Sequence, residues 1–235
     1  MAIDLEWVVK YPMNSDDWIK TVLIGGVLTL ASIFIVPAFL VYGYTLRVLR
    51  AGMAGEENPP IFDDWGDLLK EGVVAFVIVL IYQLIPLIVM AVTVGGSIAA
   101  MATGTEAGAG VGLVGLFGGL ALSTLLALVF GYVTLIGLAN YAHEGTFGAA
   151  FDFGVIRTVA TDADYAIPWL YGVGLLIGAA VVASILGVVP IIGAIAGVFV
   201  TFYGQIAAGW VWGKGFGDAT GLGGEASSDP DSAIA

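Results

Sequence analysis

The sequence predicts an all-α integral membrane protein: a bundle of about five transmembrane helices with short amphipathic helices at the bilayer surface. Three observations predict it. Of 235 residues, 59% are hydrophobic and 11% charged, whereas a soluble domain carries about 25% charged residues. Mean hydropathy is +1.00, more apolar surface than one water-surrounded core of this size can bury. The charges are also bunched. Long stretches have none and short segments hold nearly all, which is the alternation of spans and loops.

Five segments reach the ~20 apolar residues that a spanning helix needs. The first runs from Thr21 to Leu46, contains Pro37 and is followed by Arg47 and Arg50. The second runs from Gly72 to Ala99 with Pro86 inside it, and the third from Val111 to Ala139. The fourth and fifth, Ala166 to Val189 and Pro190 to Trp212, join almost without a loop. Neighbouring groups re-satisfy the carbonyl that a proline frees, so Pro37 and Pro86 should kink their spans without breaking them. The N-terminus is not a secretory signal: acids come early, and the first apolar run outlasts a signal core. Residues 1–213 therefore read as a single transmembrane helical domain. Residues 214–235, rich in Gly, Ser and Asp, read as a disordered tail.

Loop charge orients the bundle. With five passes, Arg47, Arg50, Lys70, Arg157 and Lys214 share one side, and Lys10 and Lys20 the other. Basic residues favour the cytoplasm, which predicts the C-terminus inside and the N-terminus outside. In a rival topology with six helices, the first segment is a short hairpin. All basic residues then gather inside, and Glu106 is the only acid left outside. Roughly 26 apolar residues are too few for two full passes, and no Gly or Pro marks a turn near Leu30–Ile33. Five passes is the expectation.

The loops carry further signals. Asn58-Pro59-Pro60 ends one structure, and Asp63-Asp64-Trp65-Gly66-Asp67 reads as a helix start with acids at the positive end of the dipole. From Phe147 to Ala160, Phe147, Phe151, Val155 and Thr158 fall on one face of an interfacial helix. Trp7, Trp18, Trp65, Trp169, Trp210 and Trp212 lie near span ends, where headgroup-level anchors belong.

The motif Asp16-Asp17-Trp18 before the first span echoes Asp63-Asp64-Trp65 before the second. Tyr42-Gly43-Tyr44, Phe130-Gly131-Tyr132 and Tyr203-Gly204-Gln205 recur near span ends. Internal repeats are common in transporters, although matches this short also arise by chance in a chain rich in Gly and aromatics.

Tyr11-Pro12, Asp16-Asp17-Trp18-Ile19-Lys20-Thr21 and Leu23-Ile24-Gly25-Gly26 also form one opening pattern. It continues through Pro37-Ala38-Phe39-Leu40, Gly43-Tyr44, Arg47-Val48-Leu49-Arg50 and Pro60-Ile61-Phe62-Asp63-Asp64-Trp65-Gly66-Asp67-Leu68. Together these residues resemble the archaeal, largely haloarchaeal, membrane family catalogued as domain of unknown function 4013. The resemblance covers most of the chain and is most specific over residues 11–72. It implies a membrane protein of halophilic origin. It carries over no activity and no catalytic residue.

Net charge is −12. So acidic a chain is a poor partner for nucleic acid, whose phosphates select Lys and Arg. Acid excess also suits a high-salt cytoplasm, where screening weakens self-repulsion. There is no cysteine, so thiolate chemistry is excluded. No predicted span contains an ionisable residue, which argues against proton-coupled transport. His143 has no second His at metal-ligand spacing. Asp63 and Asp64 suit helix capping better than a metal, because one loop offers few of the six to eight oxygens that calcium takes. Gly104–Gly119 lacks the Gly-Lys-Ser/Thr ending of a phosphate loop. No catalytic, cofactor-binding or metal residue is therefore expected, and no enzyme.

Gly115 and Gly119, Gly174 and Gly178, and Gly193 and Gly197 stand four apart, the spacing that lets helix backbones approach. Most should build the bundle, and some would serve a homo-oligomer. Gln83, Asn140 and Gln205 would make polar contacts between helices or line a pathway, as would Ser123, Thr124 and Thr201. The reading is a non-enzymatic envelope or scaffold protein of the cell membrane, with the lipid bilayer as its surroundings. The alternative is a small-solute or lipid transporter or channel.

Overall fold

In the computed structural model, which describes residues 3–222, the chain is helical, with no strand among the described residues. The helices are α1 (Leu5–Lys10), α2 (Trp18–Leu30), α3 (Val36–Ala54), α4 (Trp65–Met101), α5 (Glu106–Glu144), α6 (Phe153–Ala160), α7 (Ala163–Leu186) and α8 (Ile192–Thr220). Four of them, α4, α5, α7 and α8, are long and apolar enough to cross a membrane. A fifth candidate, Leu5–Met13 with Trp18–Phe34, is bent by 84°. The all-α membrane bundle expected from composition is thus what folds.

The first apolar segment departs from expectation. A 3-10 turn at Ala31–Phe34, followed by Ile35 at φ 61°, separates α2 from α3. Gly25 on α2 lies against the Phe202 ring, and the Tyr44 ring on α3 is 5.6 Å from that same ring. A straight helix would hold residues 25 and 44 about 28 Å apart. The segment therefore doubles back as a helical hairpin, and the continuous pass kinked at Pro37 is overturned. Pro37 instead sits in the first turn of α3, where its missing N–H is no loss. Packing decides the matter. Gly25 and Gly26 seat Phe202 and Phe199 of α8, while Gly52 of α3 abuts the Trp210 backbone. One unbroken helix could not lay both faces on α8.

The Trp7 ring of α1 lies 4.6 Å from Trp210, one turn before Lys214 on α8. The N-terminal helix thus packs beside the C-terminal part of α8. That helix also runs on past Gly213 to Thr220, so residues 214–220 belong to the bundle. Gly213 and Gly217 lie against the Leu49 and Met53 backbones, and this tertiary contact overrides the poor helix propensity of glycine. The rest of the expected tail, 223–235, lies outside the described residues.

Contacts divide the chain into two compact units, Met1–Phe76 with Ile136–Ala235, and Val77–Leu135. In the second unit, α4 continues through Pro86 unbroken, as expected. Gly115 and Gly119 of α5 let it close on α4: an added Cβ would lie 2.7 Å from Ser97 Oγ and 2.5 Å from Thr93 Cβ. In the first unit, Gly193 meets the Leu186 carbonyl and Gly197 the Ala183 Cβ at 3.1 Å. Gly174 and Gly178 break the pattern, since a Cβ on either meets nothing within 4 Å.

The core of the first unit is aromatic. Tyr11, Tyr44, Phe62, Phe202 and Trp210 are buried together. Trp210 donates through Nε1 to the Glu56 carbonyl at 2.9 Å, and Trp212 to the Trp169 carbonyl at 3.3 Å. These two tryptophans are interior struts, not headgroup anchors. Each has a buried partner for its N–H, which removes the reason to seek the interface. The loop after α5 also differs from expectation. Asp152 caps α6 through the amides of Gly154 and Val155, ending the 3-10 turn Phe147–Phe151. The face turned inward carries Ile156 and Val159.

Candidate functional site

The loop between α3 and α4 is the most constrained irregular segment of the first unit. A loop must find partners for its backbone carbonyls, and here side chains from α3, α8 and the segment Tyr11–Asn14 supply them. Trp210 donates to the Glu56 carbonyl at 2.9 Å, Asn14 to Glu57 at 3.1 Å and Tyr11 to Asn58 at 3.3 Å. Tyr44 donates to Pro60 at 2.9 Å and Arg47 to Ile61 at 3.3 Å. Burial pushes the Tyr11 phenol above its ordinary range, and Glu56 adds to the shift. The hydroxyl therefore remains a donor.

The pinned backbone leaves Glu56, Glu57, Asp63 and Asp64 exposed, as are Asp16 and Asp17 of the segment that supplies Asn14. Asp63 pairs with Arg47, while the Asp64 carbonyl accepts from Asp67 N at 2.9 Å and Leu68 N at 3.0 Å to start α4. The result is an acidic surface on a loop whose backbone is held in place.

Arg50, three residues after Arg47 and on the same helix face, braces the site from behind. Its two terminal nitrogens reach the Glu71 carboxylate at 2.7 and 2.9 Å, and Nε donates to the Ala142 carbonyl at 2.9 Å. One guanidinium thereby joins α3, α4 and the end of α5. The sequence reading missed Glu71. The spacing of Arg47 and Arg50 was its visible half, but nothing in one dimension names the partner. Further ion pairs are Lys10–Glu6, Lys70–Asp67 and Lys214–Asp218.

A second feature is an apolar groove of about 520 Å³ along α7 and α8. Gly174 and Gly178 form its floor, with Leu175, Val182 and Val200 as walls and α1 at its mouth through Leu5 and Val9. Tyr203 donates to the Val9 carbonyl at 2.5 Å, which fixes α1 there. The groove suits an aliphatic chain.

The polar residues singled out in the spans take separate roles. Asn140 is buried and donates to the Ala149 carbonyl at 2.8 Å, tying α5 to the Phe147–Phe151 turn. Gln205 is half-buried on α8, with no hydrogen bond to Asn140 among the described residues. Gln83 belongs to the unit Val77–Leu135, where its Oε1 is buried without a hydrogen-bond partner. Thr201 bonds back to the Gly197 carbonyl of its own helix at 2.9 Å. His143 is exposed, 3.7 Å from Glu144. It lines a recess of about 420 Å³ with Arg50, Met53 and Ala142.

The model of the family described as "Protein of unknown function (DUF4013)" matches residues 30–188. No curated protein and no solved structure matches the chain.

Proposed function

We propose that this chain, which belongs to the DUF4013 family, is a non-enzymatic membrane scaffold. Its acidic loop surface at Asp16, Asp17, Glu56, Glu57 and Asp64 receives a basic protein partner. The observation that carries this reading is the pinning of the loop. Five side chains hold five of the six carbonyls from Glu56 to Ile61. Such rigidity lowers the entropy lost on binding.

The hairpin supports an orientation. With α4, α5, α7 and α8 crossing and α2–α3 returning to its own side, all seven basic residues fall on one side, the cytoplasmic one. The N- and C-termini are then both inside. The exposed acids fit a concentrated-salt cytoplasm of haloarchaeal type, where screening offsets their repulsion.

The groove supports a second reading, the handling of a lipid chain by a transporter. Purified full-length protein in proteoliposomes distinguishes the two. A scaffold leaves a potassium gradient and the transbilayer distribution of a fluorescent lipid unchanged relative to empty vesicles. Protein-dependent lipid movement or ion flux overturns the scaffold reading.

A further inference from the structure

The α2–α3 hairpin ends in a turn unlike a water-facing one. A solvated turn draws on Gly, Asn, Asp or Ser for polar tips and left-handed backbone. Here the tip is Ile33-Phe34-Ile35-Val36, with Ile33 83% and Phe34 76% exposed. The position at positive φ is filled by a β-branched isoleucine. The α4–α5 turn differs, since Thr103, Gly104, Thr105 and Glu106 give it polar and charged groups, whereas the α7–α8 turn shares the apolar tip, with Ile191 at φ 65°.

The turn satisfies part of its own backbone. Ala31 N reaches the Val27 carbonyl, Ile35 N the Ser32 carbonyl at 3.1 Å and Phe39 N the Ile35 carbonyl at 3.2 Å. Pro37 has no N–H to satisfy. The hydroxyls of Thr29 and Ser32 return to the Gly25 and Leu28 carbonyls at 2.8 and 2.9 Å. Irregular backbone is tolerated in hydrocarbon only when its polar groups find partners within the protein.

Length completes the argument. From Lys20, exposed near the start of α2, to Leu30 is about 15 Å of helix, and from Val36 to Arg47 on α3 about 17 Å. Arg47 is held at the charged loop by Asp63 and Ile61. Both legs are well short of the ~30 Å hydrocarbon core. The α7 and α8 legs, of 24 and 29 residues, are long enough to cross.

We infer that α2–α3 is a re-entrant hairpin that enters and leaves the bilayer on its charged side, with its turn surrounded by lipid chains inside the membrane. It makes contact with hydrocarbon and with neither aqueous phase at Ile33–Val36.

The chain has no native cysteine, so single cysteines report cleanly. Full-length Lys20→Cys, Thr105→Cys, Ile33→Cys and Phe34→Cys are placed in sealed vesicles of both orientations and probed with an impermeant maleimide. The re-entrant hairpin predicts labelling of Lys20→Cys from one face and Thr105→Cys from the other. Ile33→Cys and Phe34→Cys are then lost to the reagent from both faces until detergent is added. A bimane fluorophore at either turn position is quenched by lipids carrying a nitroxide on the acyl chain. Labelling of either turn position from the Thr105 face means a full crossing and overturns the inference. Protection without quenching by lipid nitroxides means that protein covers the turn, and overturns it equally.

Discussion

The Glu71 carboxylate receives both terminal nitrogens of Arg50, at 2.7 and 2.9 Å, in a two-pronged ion pair between α3 and α4. Its geometry is the strong form of such a pair, and it is only part-exposed. Because Arg50 also holds the Ala142 carbonyl, removing it unties three helices together. Arg50→Ala should cost about 2 kcal/mol, the scale of charge-assisted hydrogen bonds. Glu71→Gln should cost less, as Arg50 keeps Ala142. Denaturation midpoints of the two variants and of the double variant test this. Additive effects would mean that the pair contributes nothing.

Close backbone contact makes a second prediction. A Cβ at Gly52 would strike the Trp210 carbonyl, and one at Gly213 the Leu49 carbonyl. Neither backbone can swing aside as a side chain could. Gly52→Ala and Gly213→Ala should each destabilise by about 2 kcal/mol through overpacking. Gly174→Ala faces the open groove and should be neutral or gain up to about 1 kcal/mol from helix propensity. Thermal inactivation of the three variants in one detergent gives the comparison.

Ile35 sits at φ 61° and is largely exposed. A β-branched residue in that region is strained by roughly 1–3 kcal/mol, and Gly relieves the strain at an entropic cost of about 0.5–1 kcal/mol. Ile35→Gly should therefore raise stability by about 1 kcal/mol. A lowered melting temperature would show that the isoleucine side chain contributes more than its backbone strain costs.

The chain carries a net charge of −12, and much of the unpaired acid lies on the exposed loop surface. Raising salt from about 0.1 M to about 1 M shortens the screening length from about 10 Å to about 3 Å. Repulsion among Asp16, Asp17, Glu56 and Glu57 then falls, and the melting temperature of the purified protein should rise. A fall would mean that the ion pairs at Arg47 and Arg50 outweigh the repulsion.

Composition and hydropathy alone determined that this is a helical membrane protein, since no aqueous fold buries so much apolar chain. Local chemistry marked the start of α4 at Trp65, after an Asp-Asp pair. It also foresaw the close contacts of Gly115 and Gly119. Tertiary structure decided the rest. Whether Thr21–Leu46 runs straight or doubles back depends on how Gly25, Gly26 and Gly52 receive the side chains and backbone of α8, an interaction between residues far apart in sequence. Trp210 and Trp212 are interior, not interfacial, because their N–H groups meet carbonyls on other segments. The pinned loop was legible only as exposed acids, because the donors that hold its carbonyls come from α3, α8 and the segment Tyr11–Asn14. One dimension records which groups could bond, and the fold decides which of them meet.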